Sequence, residues 1–193
     1  RRMALTLLRS SRVQMFAVGS EGVNYLRESG FPEERLHNLP VSPALPSSYK
    51  PDTWRAQLGI PDEQVLLVTG SRLTKEKGFD VLIRAVSQMQ PAIKKRLLAV
   101  IVGHGPFEGE LRGLVHKVGL TRQNVRFLSW MPAEDFAGLV KESDIVVHPS
   151  RRDSYGGASL LARSMAKPLI ASRGAGAALD VVEEGVNGWL YDP

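Results

Sequence analysis

The segment VLLVTGSRLTKEKGFD, residues 65–80, decides the fold. Its first four residues are apolar and β-prone, which predicts a buried strand, and a helix is predicted to open at Gly78. The turn between them carries Arg72, Lys75 and Lys77. Backbone N–H groups and the positive end of a helix dipole point outward at such a turn, so the pattern indicates a phosphate site. The alternative is an ordinary strand-to-helix turn with solvated basic residues.

The same alternation of strand and helix continues to the end of the chain. Apolar runs predict six strands, at residues 65–68, 97–102, 125–128, 145–148, 169–171 and 188–191. Between them apolar residues recur at helical spacing, as Leu111, Leu114 and Val115 do. Repeated βαβ units force a parallel sheet. The predicted fold class is therefore α/β, a Rossmann-like parallel sheet with helices on both faces, with a ligand at the carboxyl ends of the strands.

A proline-rich stretch separates this region from the start of the chain. Residues 39–51, LPVSPALPSSYKP, contain four prolines and three serines, which predicts an extended linker. Residues 13–20 are predicted to form a strand, and a helix is predicted over residues 21–28. We therefore predict that residues 1–38 end one domain and that residues 52–193 form a second domain, cut short at its C-terminus.

Composition narrows the classes of function. The 193 residues include no cysteine, and the formal net charge is +5. Disulfides and thiolate metal sites are therefore excluded, and the four histidines lack zinc-ligand spacing, so no metal site is expected. The basic excess suits an anionic ligand, such as a nucleotide, or an acidic membrane surface. It is too small and dispersed to indicate nucleic acid, and aromatic residues do not alternate with the basic ones.

Four further loops follow predicted strands and carry candidate residues. Gly103 and Gly105 bracket His104 and would let the backbone approach a bulky group closely. His104 is either a site residue or an exposed loop histidine. Trp130, beside Met131, either packs against a nucleobase or closes the core, which is the commoner role for such a Trp.

The densest loop is residues 148–157, HPSRRDSYGG. Gly156 and Gly157 lie where the next helix opens and would form a second phosphate cradle. Asp153 either accepts hydrogen bonds from sugar hydroxyls or caps that helix. Residues 173–177, RGAGA, either close over a ligand or form a flexible turn before a helix containing residues 180–184.

The order of these motifs resembles the C-terminal half of GT-B glycosyltransferases of family 4 (group 1), over about two-thirds of the chain. The matching motifs are GSRL with KG at residues 70–78, GHGP at 103–106, VRFL at 125–128 and VNGWL at 186–190. The resemblance implies that residues 52–193 are a donor-binding domain and that residues 1–38 end the N-terminal domain. It implies a retaining hexosyl- or glycosyltransferase that uses a UDP-, GDP- or ADP-sugar, with no metal and no cofactor.

The resemblance also assigns residues to the donor site. Those with catalytic roles are Arg72 and Lys77, on the donor diphosphate, and Asp153, on the donor sugar. Those that bind the donor are Gly70, Gly103, Gly105, Met131, Ser154, Tyr155, Gly156 and Gly157.

The chain lacks one of two carboxylates that are typical of the family. The family has two glutamates eight residues apart, the first on the sugar and the second on the ribose hydroxyls. Pro168 fixes the register, which places Asp153 at the first position and Leu161 at the second. Leu161 cannot bind a ribose, and the hydroxyl of Ser154 or Ser159 would have to compensate.

The resemblance implies partners and rivals as well. The acceptor would be a carbohydrate or a lipid-linked molecule bound through the N-terminal domain, in the cytoplasm or at the inner face of the membrane. The isolated chain is expected to bind nucleotide weakly and to transfer nothing. The main alternative is a degenerate, transferase-like binding or scaffolding module. A flavodoxin-like or receiver domain is disfavoured by the basic first loop, and a GT-B epimerase lacks identifiable carboxylates and histidines here.

Overall fold

A computed structural model describes residues 12–39, 41 and 53–193. The chain divides into two compact units, residues 1–42 and 43–193. The division falls inside the predicted linker at residues 39–51, most of which lies outside the described residues, as do residues 1–11 of the predicted first domain.

The first unit is a small βαβ arrangement. Strand β1 (Met15–Ala17) pairs in parallel with β2 (Leu36–Asn38), and α1 (Gly19–Glu28) connects them together with a 3-10 turn. The amide of Gly19 donates to Asn38 Oδ1 at 3.0 Å, so the start of α1 is tied to the end of β2. The predicted strand and helix are both present, and β2 was not predicted.

The second unit is a six-stranded parallel sheet with helices on both faces, which confirms the predicted fold class. Its strands are β3 (Val65–Gly70), β4 (Leu97–Val102), β5 (Val125–Leu128), β6 (Ile145–His148), β7 (Leu169–Ser172) and β8 (Gly188–Tyr191). Its helices are α2 (Trp54–Leu58), α3 (Phe79–Gln88), α4 (Pro91–Arg96), α5 (Glu108–Lys117), α6 (Ala133–Glu142), α7 (Gly157–Ser164) and α8 (Gly176–Val181).

The strand order is β5-β4-β3-β6-β7-β8, and every neighbouring pair is parallel. The chain runs outward from β3 to β5 on one side and from β6 to β8 on the other. The order therefore reverses between β3 and β6, and this reversal opens a crevice at the carboxyl ends of those strands.

Alternate residues of the central strand pack on opposite faces of the sheet. Leu66 and Val68 belong to the core on the side that includes residues of α6, α7 and α8. Leu67 belongs to the core on the side that includes residues of α3 and α5. Both faces are therefore buried, as the continuous apolar run of β3 predicts for an inner parallel strand.

The short helix α2 is held by a distant carboxylate. Both oxygens of Glu142, at the end of α6, accept hydrogen bonds from the amides of Thr53, Trp54 and Arg55 at 2.8–2.9 Å. These amides have no partner within the helix, and a negative charge suits the positive end of the dipole. Within the described part of the chain, no helix is long and apolar enough to cross a membrane.

Candidate functional site

The candidate site lies where the loops after β3 and β6 meet, at the reversal of strand order. Backbone contacts join the two loops, since the amide of Arg151 donates to the carbonyl of Glu76 at 2.7 Å. The Arg151 guanidinium forms two hydrogen bonds with the Asp80 carboxylate, at 2.7 and 2.8 Å. Those bonds lower the pKa of Asp80. Arg151 therefore holds the two loops together.

Two of the residues with predicted catalytic roles meet in this crevice. Lys77 Nζ lies 2.6 Å from Asp153 Oδ2, although 76 residues separate them in sequence. Both side chains are largely buried, with 14% and 16% of their surface exposed. Arg72, two residues beyond β3, is exposed at the mouth of the same loop.

The Asp153 carboxylate is stabilised as an anion. Its Oδ2 lies 3.2 Å from His148 Nε2 as well as 2.6 Å from Lys77 Nζ. The hydrogen bond from His148, followed by that from Lys77, holds the pKa of Asp153 well below its usual range although burial opposes the shift. The capping role considered for Asp153 is not observed: the residue that precedes α7 is Gly156, and no side chain caps that helix.

Gly156 leaves the start of α7 open and has a backbone that few other residues adopt. Its φ is +96°, and a Cβ there would lie 2.1 Å from the His148 ring. The amides at the start of α7 and the positive end of its dipole therefore lie beside Asp153. Of the predicted donor-binding residues, Ser154 and Gly157 are exposed, whereas Tyr155 is half-buried and packs against the core.

The glycines of the loop after β4, here called the second loop, approach the backbone of the loop after β3, the first loop. A Cβ on Gly103, whose φ is +137°, would lie 2.0 Å from the Ser71 carbonyl oxygen. A Cβ on Gly105 would lie 2.4 Å from the Leu73 carbonyl oxygen, and the Leu73 amide donates to the His104 carbonyl at 2.9 Å. The second loop thus packs against the first, and the close approach expected for a ligand is made here by the polypeptide. The His104 side chain is exposed.

Gly70, Gly103 and Met131 line a common cavity of about 240 Å³ beside the crevice. Its wall is mainly apolar and includes Phe136 and Trp130. Trp130 was expected to close the core, and that expectation is wrong, because 67% of its surface is exposed at the rim of the cavity.

The loop after β7 is bound to the Asp153 loop and is not a loose turn. The Asp153 amide donates to the Gly174 carbonyl at 2.8 Å, and the Gly176 amide donates to the Asp153 carbonyl at 3.1 Å. The helix expected over residues 180–184 is α8, which ends at Val181. These backbone bonds fix the Asp153 main chain from both sides.

The structure distinguishes between the two serines considered as substitutes for the missing ribose contact. Ser159 is fully buried and its Oγ lies 2.7 Å from His148 Nδ1, so its hydroxyl already has a partner. Ser154 is exposed on the crevice loop. Leu161 is half-buried and packs against the core on the α7 side of the sheet.

Sequence reasoning missed two residues of the site, His148 and Asp80. His148 closes an apolar strand, and a polar residue at such a position was a usable signal. Asp80 carried no signal, because its partner is 71 residues away. Among the described residues, no group of three or more histidines, aspartates or glutamates could hold a metal ion.

Solved structures share the fold of this chain. The Anabaena protein HepE in complex with UDP matches all of this chain and 53% of its own, with a TM-score of 0.83 and 26% identity. The HepE complex with UDP-glucose has a TM-score of 0.79, 25% identity and the same coverage.

Sequence relatives give the same result. A D-inositol 3-phosphate glycosyltransferase of Corynebacterium jeikeium is 35% identical over 144 residues, which cover 72% of this chain and 34% of the relative. An uncharacterised glycosyltransferase of Methanocaldococcus jannaschii is 30% identical over 139 residues, covering 72% and 35%. The chain therefore spans about a third of the length of these relatives. The family model for glycosyl transferases group 1 matches residues 50–193. The chain belongs to the group 1 glycosyl transferases.

Proposed function

We propose that this chain provides the donor-binding domain of a glycosyltransferase that moves a sugar from a nucleotide-sugar to an acceptor hydroxyl. We further propose that it is the C-terminal domain of a family 4 enzyme of the GT-B type, which retains the anomeric configuration. The observation that carries the proposal is the meeting of Lys77 with Asp153, 2.6 Å apart, beside the open start of α7 at the reversal of strand order.

The proposed chemistry uses these groups as fixed charges. As the glycosidic bond to the donor breaks, the departing nucleoside diphosphate gains negative charge. The ammonium of Lys77, the guanidinium of Arg72 and the start of α7 stabilise that charge without having to reorganise. The sugar passes through a state with oxocarbenium character. Asp153 Oδ2 is occupied by Lys77 and His148, so we assign Asp153 Oδ1 to a donor-sugar hydroxyl.

We place the nucleobase in the cavity lined by Gly70, Gly103 and Met131. Its apolar wall suits the flat face of a base, and the Trp130 indole at its rim is free to stack. Ser154 is the hydroxyl that we assign to the ribose, because Ser159 is buried against His148. In this assignment the Ser154 hydroxyl replaces the second family carboxylate, whose position is occupied by Leu161.

A thermal-shift screen of the complete protein against UDP-, GDP- and ADP-sugars tests the proposal. A donor that binds only the folded state raises the melting temperature, by an amount that grows with concentration above Kd. Arg72→Ala should abolish the shift, because it removes a full charge from the diphosphate site. Arg122→Ala is the matched control. It removes an exposed arginine near the amino end of β5, whereas the site lies at the carboxyl ends of the strands, so the shift should remain.

Two outcomes would count against the proposal. No shift with any nucleotide-sugar would favour a degenerate binding module, with Leu161 as the position where nucleotide recognition failed. A shift that survives in Arg72→Ala would mean that the diphosphate lies elsewhere.

We extend the proposal to the acceptor side, where a carbohydrate or lipid-linked acceptor would be handled by the rest of the protein at an anionic membrane surface. The supporting feature is a basic band in the second unit. Residues 89–126 carry seven of the lysines and arginines and two glutamates, a balance of +5 that equals that of the whole chain. This segment therefore carries more basic than acidic side chains.

A further inference from the structure

A buried histidine lies beneath the proposed donor site and has no role in the chemistry described so far. His148 is the last residue of β6, and 5% of its side chain is exposed. A buried imidazole needs a partner for each nitrogen. Nδ1 lies 2.7 Å from Ser159 Oγ, on α7, and Nε2 lies 3.2 Å from Asp153 Oδ2. Both nitrogens are therefore engaged.

The partners determine which nitrogen carries the proton. The Asp153 carboxylate is ionised and can only accept, so Nε2–H must donate to it. Neutral imidazole then leaves Nδ1 as the acceptor, and the Ser159 hydroxyl donates. With Lys77 charged and the imidazole neutral, the four groups sum to zero net charge, which is the arrangement that costs least in a largely buried site.

The ring also supports the start of α7. A Cβ at Gly156 would lie 2.1 Å from His148 Cε1, so the glycine before the helix rests directly on the imidazole. One side chain thus fixes the carboxylate that holds Lys77 and supports the helix start beside it. A lysine side chain has about 2 kcal/mol of rotamer entropy, so an ammonium without a fixed partner would sample many positions.

We propose that His148 is a positioning residue: by donating from Nε2 to Asp153, it fixes the carboxylate that holds the Lys77 ammonium toward the donor diphosphate. The diphosphate in this statement rests on the proposed function. His148 lies under the site and does not touch the donor, so its effect passes through Asp153. Ser159 acts one step further back, by holding the tautomer that donates toward Asp153.

Two variants of similar size separate the two nitrogens. In His148→Gln the side-chain amide nitrogen reaches about as far as Nε2, so the bond to Asp153 can be kept while the contact with Ser159 is lost. In His148→Asn the amide reaches about as far as Nδ1, so the contact with Ser159 can be kept while Asp153 loses its donor. Both remove the ring beneath Gly156, which makes each a control for the other.

The experiment uses the complete protein and the donor with the largest thermal shift. We expect kcat/KM of His148→Gln to stay within about threefold of the wild type, and that of His148→Asn to fall by about 10- to 100-fold, as for a misplaced reactive group. Melting temperatures of both variants show whether the fall reflects misfolding. Equal losses in two equally folded variants would overturn the proposal, because a merely structural histidine would not distinguish them.

A second measurement decides the proposal independently of activity. With ¹⁵N-lysine labelling, the held Lys77 ammonium should give a slowly exchanging signal in the wild type and in His148→Gln, and should lose it in His148→Asn. The same signal in all three proteins would overturn the positioning role. If the wild type neither binds nor transfers any nucleotide-sugar, the proposed function fails, while the lysine signal still tests the role of His148.

Discussion

Asp153 determines the charge balance of the candidate site. Its carboxylate holds Lys77 Nζ at 2.6 Å and accepts from His148, with most of the group out of water. A buried lysine without its partner is costly, since the desolvation of the charge is then uncompensated. Removing the carboxylate should therefore affect stability as well as ligand binding.

We predict that Asp153→Asn lowers the free energy of unfolding by about 2–4 kcal/mol at pH 7, mainly by leaving Lys77 unpaired. The pKa of Asp153 in the folded protein lies below its ordinary value of 3.8. Between these two pKa values the folded protein therefore binds fewer protons than the unfolded chain. The stabilisation is fully present above about pH 4 and is lost as pH falls through the folded pKa. Urea unfolding from pH 7 to pH 2.5 should show the difference between wild type and variant shrinking below pH 4.

The control for this series is Asp62→Asn, which alters an exposed carboxylate outside the site. Its stability curve should run parallel to that of the wild type across the same range. A constant difference between Asp153→Asn and the wild type down to pH 2.5 would show that the carboxylate is not held as the structure indicates.

For single residues, the sequence predicted two side chains of the candidate site but not their contacts with each other. Lys77 and Asp153 were both identified from their loops, because each follows an apolar strand. Their direct contact, and the third partner His148, depend on the pairing of β3 with β6, which periodicity does not reveal. The same strand pairing brings Arg151, one of two arginines in the loop at residues 148–157, into contact with Asp80.

Helix ends show where local sequence and tertiary structure disagree. Helix α7 ends in a Schellman arrangement, with the Ala166 amide bonded to the Arg163 carbonyl and the Lys167 amide to the Ala162 carbonyl. Ala166 has a φ of +51°, a left-handed conformation normally taken by glycine. The methyl group of Ala166 therefore strains the backbone two residues beyond the end of α7.

We predict that Ala166→Gly raises the free energy of unfolding by about 1 kcal/mol, because glycine adopts the left-handed conformation without the steric cost. Urea unfolding with an unchanged m value would measure the gain. The matched control is Ala85→Gly, in the exposed interior of α3, which should lower the free energy by about 1 kcal/mol. Losses in both variants would mean that residue 166 is not left-handed in solution.

Periodicity was a good guide to the strands and a poor one to the short helices. The six strands of the second unit lie where apolar runs predicted them, because both sheet faces are buried and the runs are continuous. Helix α2 escaped prediction because it depends on Glu142, 87–89 residues away, for its first amides. A five-residue helix has too few internal bonds to be recognised, or to be stable, without such a partner.

At the largest scale, the basic residues of the band at residues 89–126 lie away from the candidate site within the described second unit. Lys94 and Lys95 line one cavity and Arg122 and Arg126 line the next, and Thr121 belongs to both. These residues lie around the amino ends of β4 and β5, whereas the site is at the carboxyl ends. The basic band and the donor site therefore cannot serve the same anion, which is why we assign the band to a membrane surface.

We predict that the complete protein sediments with vesicles containing anionic phosphatidylserine and not with neutral phosphatidylcholine vesicles. Binding should weaken as salt rises, because exposed charges are screened. The triple variant Lys94→Ala, Lys95→Ala, Arg122→Ala should bind about 100-fold more weakly, since each basic residue near such a surface contributes about 1 kcal/mol. Arg163→Ala, an exposed arginine on α7, should bind as the wild type does. Unchanged binding by the triple variant, or no binding by the wild type, would contradict the membrane role. Neither result would affect the proposal for the Lys77–Asp153 site, since the band and the site lie at opposite ends of the strands.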